Sequence, residues 1–206
     1  TCALPICNLC QEITLPTKPL THIDDEKGEI SLCILSAINI GKLRSDNEIE
    51  GLCDIAVRAL DELIDYQGYP VKAAEKATKG RRSLGVGFIG LAHYLAKKGE
   101  HYDDPGALKL VHALTEKFQY HLIKASATLA KEKGACEYFD QTKYAHNIFP
   151  IDTYKKDLDE VVAPNYHEDW EWLRNYVHEH GMRNSTLTAQ MPSESSSVVC
   201  NATNGV

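Results

Sequence analysis

The stretch Leu84-Gly85-Val86-Gly87-Phe88 is short and apolar, and it runs directly into a second stretch with helical periodicity, Ile89 to Lys98. An apolar run of this length predicts a buried strand, and Gly99 is typical of the residue that ends a helix. A strand that leads straight into a helix is the repeating unit of α/β folds. The fold class predicted from this stretch is therefore α/β.

The same alternation continues in both directions along the chain. Three further apolar segments are typical of strands: Asn8 to Leu15, Ile30 to Ile40, and Ser185 to Ala189. Helical patterns separate them, and the predicted helices are Ser45 to about Tyr66, Val71 to Thr78, Asp104 to Gly134, Asp152 to Leu158 and Glu168 to His180, with another helix start after the serine-rich turn. Strands separated by helices predict one domain with a parallel sheet and helices packed outside it.

Composition limits the partners of the chain. The 206 residues are 43% hydrophobic and 25% charged, which is ordinary for a globular protein, and the formal net charge is −7. An acidic chain without a basic stripe argues against a nucleic-acid surface, so we expect no nucleic-acid partner. No apolar run approaches the roughly 18 residues that span a bilayer, and no secretory signal opens the sequence. We therefore expect no membrane association and a cytoplasmic location.

The seven cysteines do not form the dense framework of a small secreted protein. Cys7-Asn8-Leu9-Cys10 spells C-x-x-C, a pattern that by itself also fits a zinc knuckle or a redox pair. A zinc site of that kind requires a second such pair, and the other cysteines do not provide one. We therefore expect no metal site.

The segment around Cys10 has the layout of a reaction centre. Asn8, Cys10 and Glu12 alternate along the chain, so an extended backbone would direct all three side chains to one face. Cys10 alone would more often be a small core residue. A thiol flanked by an amide and a carboxylate is a poor choice for packing, because each polar group costs free energy when it is buried without a partner. The pattern therefore favours a ligand-binding or catalytic role.

Several motifs resemble the large subunit of aerobic, class I ribonucleotide reductase, and the resemblance runs from about residue 8 to the last residue. The stretches that carry it are Asn8-Leu-Cys10-x-Glu12-Ile, Leu15-Pro-Thr-Lys-Pro-Leu20, Leu32-Cys33, Gly80-Arg-Arg-Ser-Leu-Gly85, Pro150-Ile-Asp-Thr-Tyr-Lys-Lys-Asp157, Arg183-Asn-Ser-Thr-Leu-Thr-Ala189 and Met191-Pro-Ser-Glu194. Residues 1–6 do not fit the pattern. They match the translated read-through of a sequencing adapter, and Cys7 then stands in for a serine codon. We interpret residues 1–7 as a scar and residues 8–206 as the partial barrel domain.

The resemblance implies the second half of a ten-stranded α/β barrel that reduces ribonucleoside diphosphates to deoxyribonucleoside diphosphates. By resemblance, Cys10 becomes a thiyl radical that removes the 3′ hydrogen of the ribose, Glu12 takes the 3′-hydroxyl proton, and Asn8 binds the sugar hydroxyls. Cys33 is one of two reductant thiols that end as a disulfide, and its partner lies upstream of this chain. Ser193, Glu194, Ser195 and Ser196 hold the substrate diphosphate.

The family's partners follow from the same resemblance. No cofactor is expected in this fragment, because a metal-containing small subunit supplies the radical and thioredoxin or glutaredoxin regenerates the dithiol. The parent protein is expected to be an allosteric homodimer. The family's nucleotide-binding regulatory domain and its C-terminal tyrosines have no counterpart in these 206 residues. We therefore expect the fragment alone to be inactive.

Two other functions remain open at this point. Gly85-Val-Gly87-Phe-Ile-Gly90 matches G-x-G-x-x-G between a predicted strand and helix, which is typical of a nicotinamide-dependent oxidoreductase. Such a fold needs a second strand and an acidic residue about 20 positions on, and residues 97–104 predict no strand. The other alternative is a non-catalytic helical scaffold in which Cys10 and Cys33 are core residues and the serine-rich turn is a loop.

Overall fold

Two parallel strands form the sheet of this protein. The computed structural model describes residues 12–206, and in this part of the chain β1 (Ile34–Asn39) pairs in parallel with β2 (Leu84–Ile89). Ile34 lies opposite Leu84 and Asn39 opposite Ile89. The segment Ser185 to Ala189 runs along the other side of β2, where the Leu84 N–H donates to the Thr186 carbonyl (2.9 Å) and Val86 forms a parallel bridge with Thr188.

Seven α-helices connect and cover these strands in the described part of the chain. Their bounds are α1 (Glu48–Tyr66), α2 (Lys72–Arg81), α3 (Leu91–Lys98), α4 (Pro105–Lys133), α5 (Pro150–Thr153), α6 (Trp170–His180) and α7 (Glu194–Val199). Short 3-10 turns occupy Ile40–Lys42, Phe139–Gln141, Tyr144–His146 and Lys156–Glu160. Helices α1 and α2 lie between β1 and β2 in the sequence, so the strand-and-helix alternation predicted from the sequence is present.

The main core lies between the sheet and helices α1 and α4. One side of α1 is fully buried, and its core residues are Ile49, Cys53, Val57, Leu60 and Ile64. Leu63 also has the spacing of an apolar helix face, but it is 45% exposed, because the buried side of α1 passes through Ile64 instead. Helix α4 contributes Leu114, Phe118, Leu122 and Leu129 as predicted, and Phe118 packs edge-to-face on Phe88 of β2.

The predicted helix Asp152 to Leu158 is wrong as a single element. The chain instead forms the one-turn helix α5, an extended residue at Tyr154, and a 3-10 turn from Lys156 to Glu160. Most side chains between Asp152 and Glu160 are exposed, so no apolar face buries this segment. A helix that gains little from packing does not recover the cost of nucleation, and the segment therefore breaks into short turns.

The strand predictions are confirmed only in part. The predicted strand Ile30 to Ile40 shortens to β1, and Ser185 to Ala189 forms a single bridge rather than a full strand. Of the predicted strand Asn8 to Leu15, residues 12–15 are described and do not form a strand. Ile13 and Leu15 are buried and pack in a small second core with Ala189 and Met191. This segment therefore packs against the sheet segment at residues 189–191 instead of extending the sheet as a strand.

Candidate active site

The structure describes some of the predicted site residues and not others. Asn8 and Cys10 lie outside the described residues, so their placement beside Glu12 stays a prediction. Glu12, Cys33 and the four residues Ser193 to Ser196 are described. The observed part of the site therefore consists of one carboxylate, one thiol and the serine-rich turn.

A set of contacts with residues 29–31 holds the segment that carries Glu12. Lys18 and Glu29 form an antiparallel bridge with two backbone hydrogen bonds of 3.0 Å, and the Ser31 hydroxyl donates to the Pro16 carbonyl. Glu29 is itself buried and accepts from Arg81 at 2.8 Å. Because residues 29–31 lead into β1, these contacts bring Glu12 toward the start of that strand.

Glu12 and Cys33 lie close enough in the folded chain for the charge of Glu12 to act on the thiol. Cys33 immediately precedes β1, and burial raises the pKa of its thiol to about 11, with the negative charge of Glu12 acting in the same direction. A thiol with this pKa stays protonated at neutral pH. Two of the residues predicted for the reaction are therefore brought together, although they are far apart in the sequence.

One carboxylate oxygen of Glu12 finds no hydrogen-bond partner among the described residues. Oε2 is buried and makes no hydrogen bond with any group in residues 12–206. Leaving a buried acceptor unpaired costs about 1–3 kcal/mol, so natural structures keep few of them. A buried carboxylate oxygen that has no partner in residues 12–206 can accept a hydrogen bond, and then a proton, from a bound ligand.

Two small residues, Gly85 and Ala189, lie near the Cys33 thiol on the sheet. Cys33 and Ala37 pack against the cluster of Ile13, Leu15, Ala189 and Met191. A Cβ atom built on Gly85 would lie 3.2 Å from Cys33 Sγ and 2.9 Å from the Ala189 Cβ. Gly85 and Ala189 therefore lie beside the thiol in a cluster that also contains the larger side chains of Ile13, Leu15 and Met191. Sequence reasoning did not assign Gly85 and Ala189 to the site, although a glycine inside a strand is a known signal of a close approach.

The serine-rich turn begins next to the same cluster. Met191 belongs to the cluster, and Ser193 follows it at the start of α7. Ser193 is buried, its N–H donates to Asn204 Oδ1 (2.9 Å), its hydroxyl donates to the Met191 carbonyl (3.3 Å), and its carbonyl accepts from the Ser197 N–H (2.8 Å). The donors of Ser193 are therefore committed inside the protein. Ser195 and Glu194 are exposed, and Ser196 donates its hydroxyl back to the Ser193 carbonyl.

Two residues that were not predicted fix this turn. Gln190 bonds the backbone of Phe88 in both directions, accepting from its N–H (3.3 Å) and donating to its carbonyl (2.8 Å). Asn204 holds Ser193 and also accepts from the Gly205 N–H at 2.7 Å. The turn is therefore fastened on one side to β2 and on the other to the segment that follows α7. No sequence motif marks these two amides.

The glycine motif Gly85 to Gly90 does not have the surroundings of a dinucleotide site. Helix α3 is followed by the long helix α4, and no strand intervenes in this described stretch. The glycines of this motif instead allow close packing between segments of the chain. A Cβ on Gly87 would overlap the Ala189 carbonyl oxygen, so the close contact is between strand segments rather than between strand and helix.

Neither a metal cluster nor a membrane helix is found in residues 12–206. Within that range, no three side chains of the His, Cys, Asp or Glu type come together as ligands for an ion. The helices of the same range are all too short or too polar to cross a bilayer.

Comparison with known proteins connects this site to one family. A family model described as "Ribonucleotide reductase, barrel domain" matches residues 3–206. The chain is 60% identical over 199 residues to the ribonucleoside-diphosphate reductase subunit alpha of Haemophilus influenzae, covering 97% of this chain and 26% of that protein. It is 56% identical to the corresponding subunit 1 alpha of Escherichia coli with the same coverage, and 49% identical to the subunit alpha of Enterobacteria phage T4. The chain spans about a quarter of the length of these relatives.

Proposed function

This chain belongs to the ribonucleotide reductase barrel-domain family, and on that premise we propose that it is part of an enzyme that reduces ribonucleoside diphosphates to deoxyribonucleoside diphosphates. The observation that carries the proposal is the pairing of an unsatisfied, buried Glu12 oxygen with the protonated thiol of Cys33. Ribose reduction needs one group that accepts a hydroxyl proton and another that supplies reducing equivalents. These two side chains meet those needs in one place.

In this proposal, Glu12 is the general base of the reaction. The ribose hydroxyl donates to the free Oε2 and gives up its proton as the sugar reacts. Substrate binding then satisfies an acceptor that residues 12–206 leave unpaired, so part of the binding free energy comes from removing that cost. Because the oxygen is already buried, little water must be displaced from it.

Cys33 supplies reducing equivalents as a thiol. Its raised pKa keeps the proton on sulfur near pH 7, which also protects the residue from unwanted oxidation, since the thiolate is the reactive form. When the 2′-hydroxyl leaves as water, Cys33 and a second thiol together lose two electrons and two protons and form a disulfide. The second thiol is proposed to lie upstream of this chain, and an external dithiol such as thioredoxin or glutaredoxin restores the pair.

Cys10 and Asn8 complete the proposed centre. In an extended segment, alternate side chains repeat at roughly 6.6 Å, which is the scale of a ribose ring. Cys10 would carry the radical that removes the 3′ hydrogen, and Asn8 would bind the sugar hydroxyls. The radical itself would come from a metal-containing small subunit. The homodimeric parent, its allosteric control and its cytoplasmic location belong to the same proposal.

The diphosphate is proposed to bind at the serine-rich turn, with unequal roles for its four residues. Ser193 acts as the anchor, because its N–H and hydroxyl donate within the protein. Ser195 offers its hydroxyl, and Glu194 offers its backbone N–H, since its carboxylate would repel phosphate. Ser196 joins them when its hydroxyl turns from the Ser193 carbonyl to the phosphate. A turn held by Gln190 and Asn204 keeps these donors in place without ordering them again on binding.

The experiment that tests this function uses the full-length subunit that contains these residues, together with its small subunit and a dithiol reductant. Wild-type protein should convert nucleoside diphosphates to deoxynucleoside diphosphates. Cys10→Ser should abolish turnover and leave the dissociation constant of the substrate within about twofold, because a hydroxyl cannot carry the radical but occupies the same space. A large loss of substrate binding in Cys10→Ser would show that the thiol is structural.

A further inference from the structure

Gly85 is the residue of β2 that lies against the Cys33 thiol. A Cβ atom on Gly85 would stand 3.2 Å from Cys33 Sγ, 2.9 Å from the Ala189 Cβ and 2.5 Å from a methyl group of Leu35. Ordinary van der Waals contacts between such atoms are near 3.5–4.0 Å. The absence of a side chain at residue 85 is therefore what allows the thiol to lie directly against the strand.

The backbone of β2 does not itself require glycine at this position. Gly85 pairs with Leu35 in regular parallel register, and the described glycines with positive φ are Gly90, Gly99, Gly134 and Gly181. A glycine inside a strand weakens the strand, so its presence marks a place where another group comes close. At Gly87 that group is the backbone carbonyl of Ala189, but at Gly85 the three nearest neighbours are side chains, and one of them is the thiol.

We propose that Gly85 is a positioning residue for Cys33: it leaves the space in which the thiol is held for disulfide formation. The inference rests on the proposed function. In that step the C2′–O bond breaks, the hydroxyl leaves as water and C2′ gains a hydrogen. Cys33 and the second thiol lose two electrons and two protons and form the S–S bond. A methyl group on residue 85 pushes Cys33 Sγ away from β2 and slows this bond formation, without touching the substrate.

The test substitutes Gly85→Ala in the full-length subunit, assayed with the small subunit, a dithiol reductant and a nucleoside diphosphate. We expect kcat to fall at least tenfold and KM to stay within twofold of wild type. In a single turnover of pre-reduced enzyme, the rate at which Cys33 is converted to disulfide should fall by the same factor. Gly51→Ala is the matched control, because a Cβ there meets no atom within 4 Å and the residue lies on α1, away from the site.

A second background separates thiol displacement from general crowding. Leu35→Ala combined with Ala189→Gly removes the other two side chains that a methyl on residue 85 would meet. Adding Gly85→Ala to that background leaves the thiol as the main neighbour, so kcat should again fall at least tenfold relative to the background itself. If the added substitution has no effect there, or if Gly85→Ala raises KM and lowers kcat together, the thiol is not the reason for the glycine and the inference is overturned.

The outcomes for the function and for Gly85 are distinguishable. Wild-type enzyme that forms no deoxynucleotide under these conditions contradicts the proposed function. Active wild-type enzyme with an unchanged kcat in Gly85→Ala contradicts only the role of Gly85. The Leu35→Ala and Ala189→Gly background provides the deciding measurement, since an effect of general crowding would disappear there and displacement of the thiol would persist.

Discussion

Two effects, burial and the negative charge of Glu12, raise the pKa of the Cys33 thiol. Burial disfavours the charged thiolate because the apolar surroundings solvate it poorly, and the carboxylate of Glu12 adds repulsion between like charges. Both effects keep the proton on sulfur, so Cys33 can give up hydrogen to a reacting partner but is a poor nucleophile toward unrelated disulfides. In the proposed function, this protonated state protects Cys33 until the substrate is bound.

This account predicts the pH dependence of Cys33 alkylation in the full-length subunit. The rate should keep rising with pH toward about 11, where the thiol of the wild type ionises. In Glu12→Gln the loss of the negative charge should lower the pKa of Cys33, yet leave it above its usual value of 9.0, because burial is the larger cause and remains. The measurement is the rate of iodoacetamide modification of the Cys33 peptide by mass spectrometry. Glu12→Asp, which keeps the charge, is the control, and a wild-type rate that levels off near pH 9 would contradict the account.

At the scale of elements, a buried ionic cluster joins α1, α4 and the strands. Asp61 on α1 is fully buried and accepts from Arg82 Nε at 2.6 Å, from Arg183 at 3.2 Å and from Asn184 at 3.1 Å. Asn184 is bonded in turn to Ser126 of α4 at 2.9 Å. Arg82 lies two residues before the start of β2, and Asn184 directly precedes the Ser185 segment. The cluster therefore fixes the register of the two sheet segments that flank the site.

The cluster predicts different costs for two carboxylates that bind the same arginine. Asp61→Asn removes the charge that faces the buried Arg82 guanidinium and the partly buried Arg183 guanidinium, and it should lower the free energy of unfolding by about 3–5 kcal/mol. Asp65→Asn removes a partner of Arg82 whose side chain is 52% exposed, so the expected loss is about 0–1 kcal/mol. Denaturant unfolding of the full-length variants measures both. Equal losses would show that burial does not decide the contribution.

Two glycines, one at the end of a helix and one inside a helix, test how backbone conformation alone affects stability. Gly134 ends α4 with φ 87° and ψ 152°, a region that other residues avoid, and a Cβ there would meet no atom within 4 Å. Gly134→Ala should therefore cost about 1–3 kcal/mol through backbone strain alone. Gly51 is equally open but helical, so Gly51→Ala should stabilise by about 0.5–1 kcal/mol. Thermal unfolding of the two variants should shift in opposite directions, and a loss of stability in both would contradict the assignment.

The hydrogen bonds at the start of α1 differ from those of the capping-box sequence pattern found there. Ser45 and Glu48 have the spacing of a capping box, in which each side chain binds the backbone N–H of the other residue. In the structure, Glu48 instead accepts from the Arg44 N–H (3.1 Å) and Ser45 from the Asn47 N–H (3.3 Å). The helix still ends at Tyr66 as predicted. The same side chains therefore satisfy neighbouring donors one or two residues away, which shifts the helix start to Glu48.

At the scale of the whole molecule, the chain is a quarter of the length of its relatives, so ligand binding is best tested in the parent. If the serine-rich turn and Glu12 bind a nucleoside diphosphate, that ligand at 100 times its dissociation constant should stabilise the full-length subunit by about 2.7 kcal/mol. A helical scaffold without a nucleotide site would show no shift. A thermal-shift titration with nucleoside diphosphates decides between them, with the matching nucleoside as the control that lacks phosphate.

The sequence alone determined the α/β class, the strand β2 with its following helix, and the ends of α3, α4 and α6 at Gly99, Gly134 and Gly181. These features are encoded within a few residues, because periodicity and capping are local properties of the backbone. Motifs in chain order also indicated the family, which the comparisons confirmed.

Only the tertiary structure decided which distant residues are in contact. It brought Glu12 to Cys33, packed Ile13 and Leu15 against Ala189 and Met191 rather than in a strand, reduced Ser185 to Ala189 to one bridge, and placed Gly85 against the thiol. The physical reason is that contacts between distant residues depend on how side chains of different volume fill a shared core. A sequence pattern gives the volume of each residue but not the neighbour against which it packs.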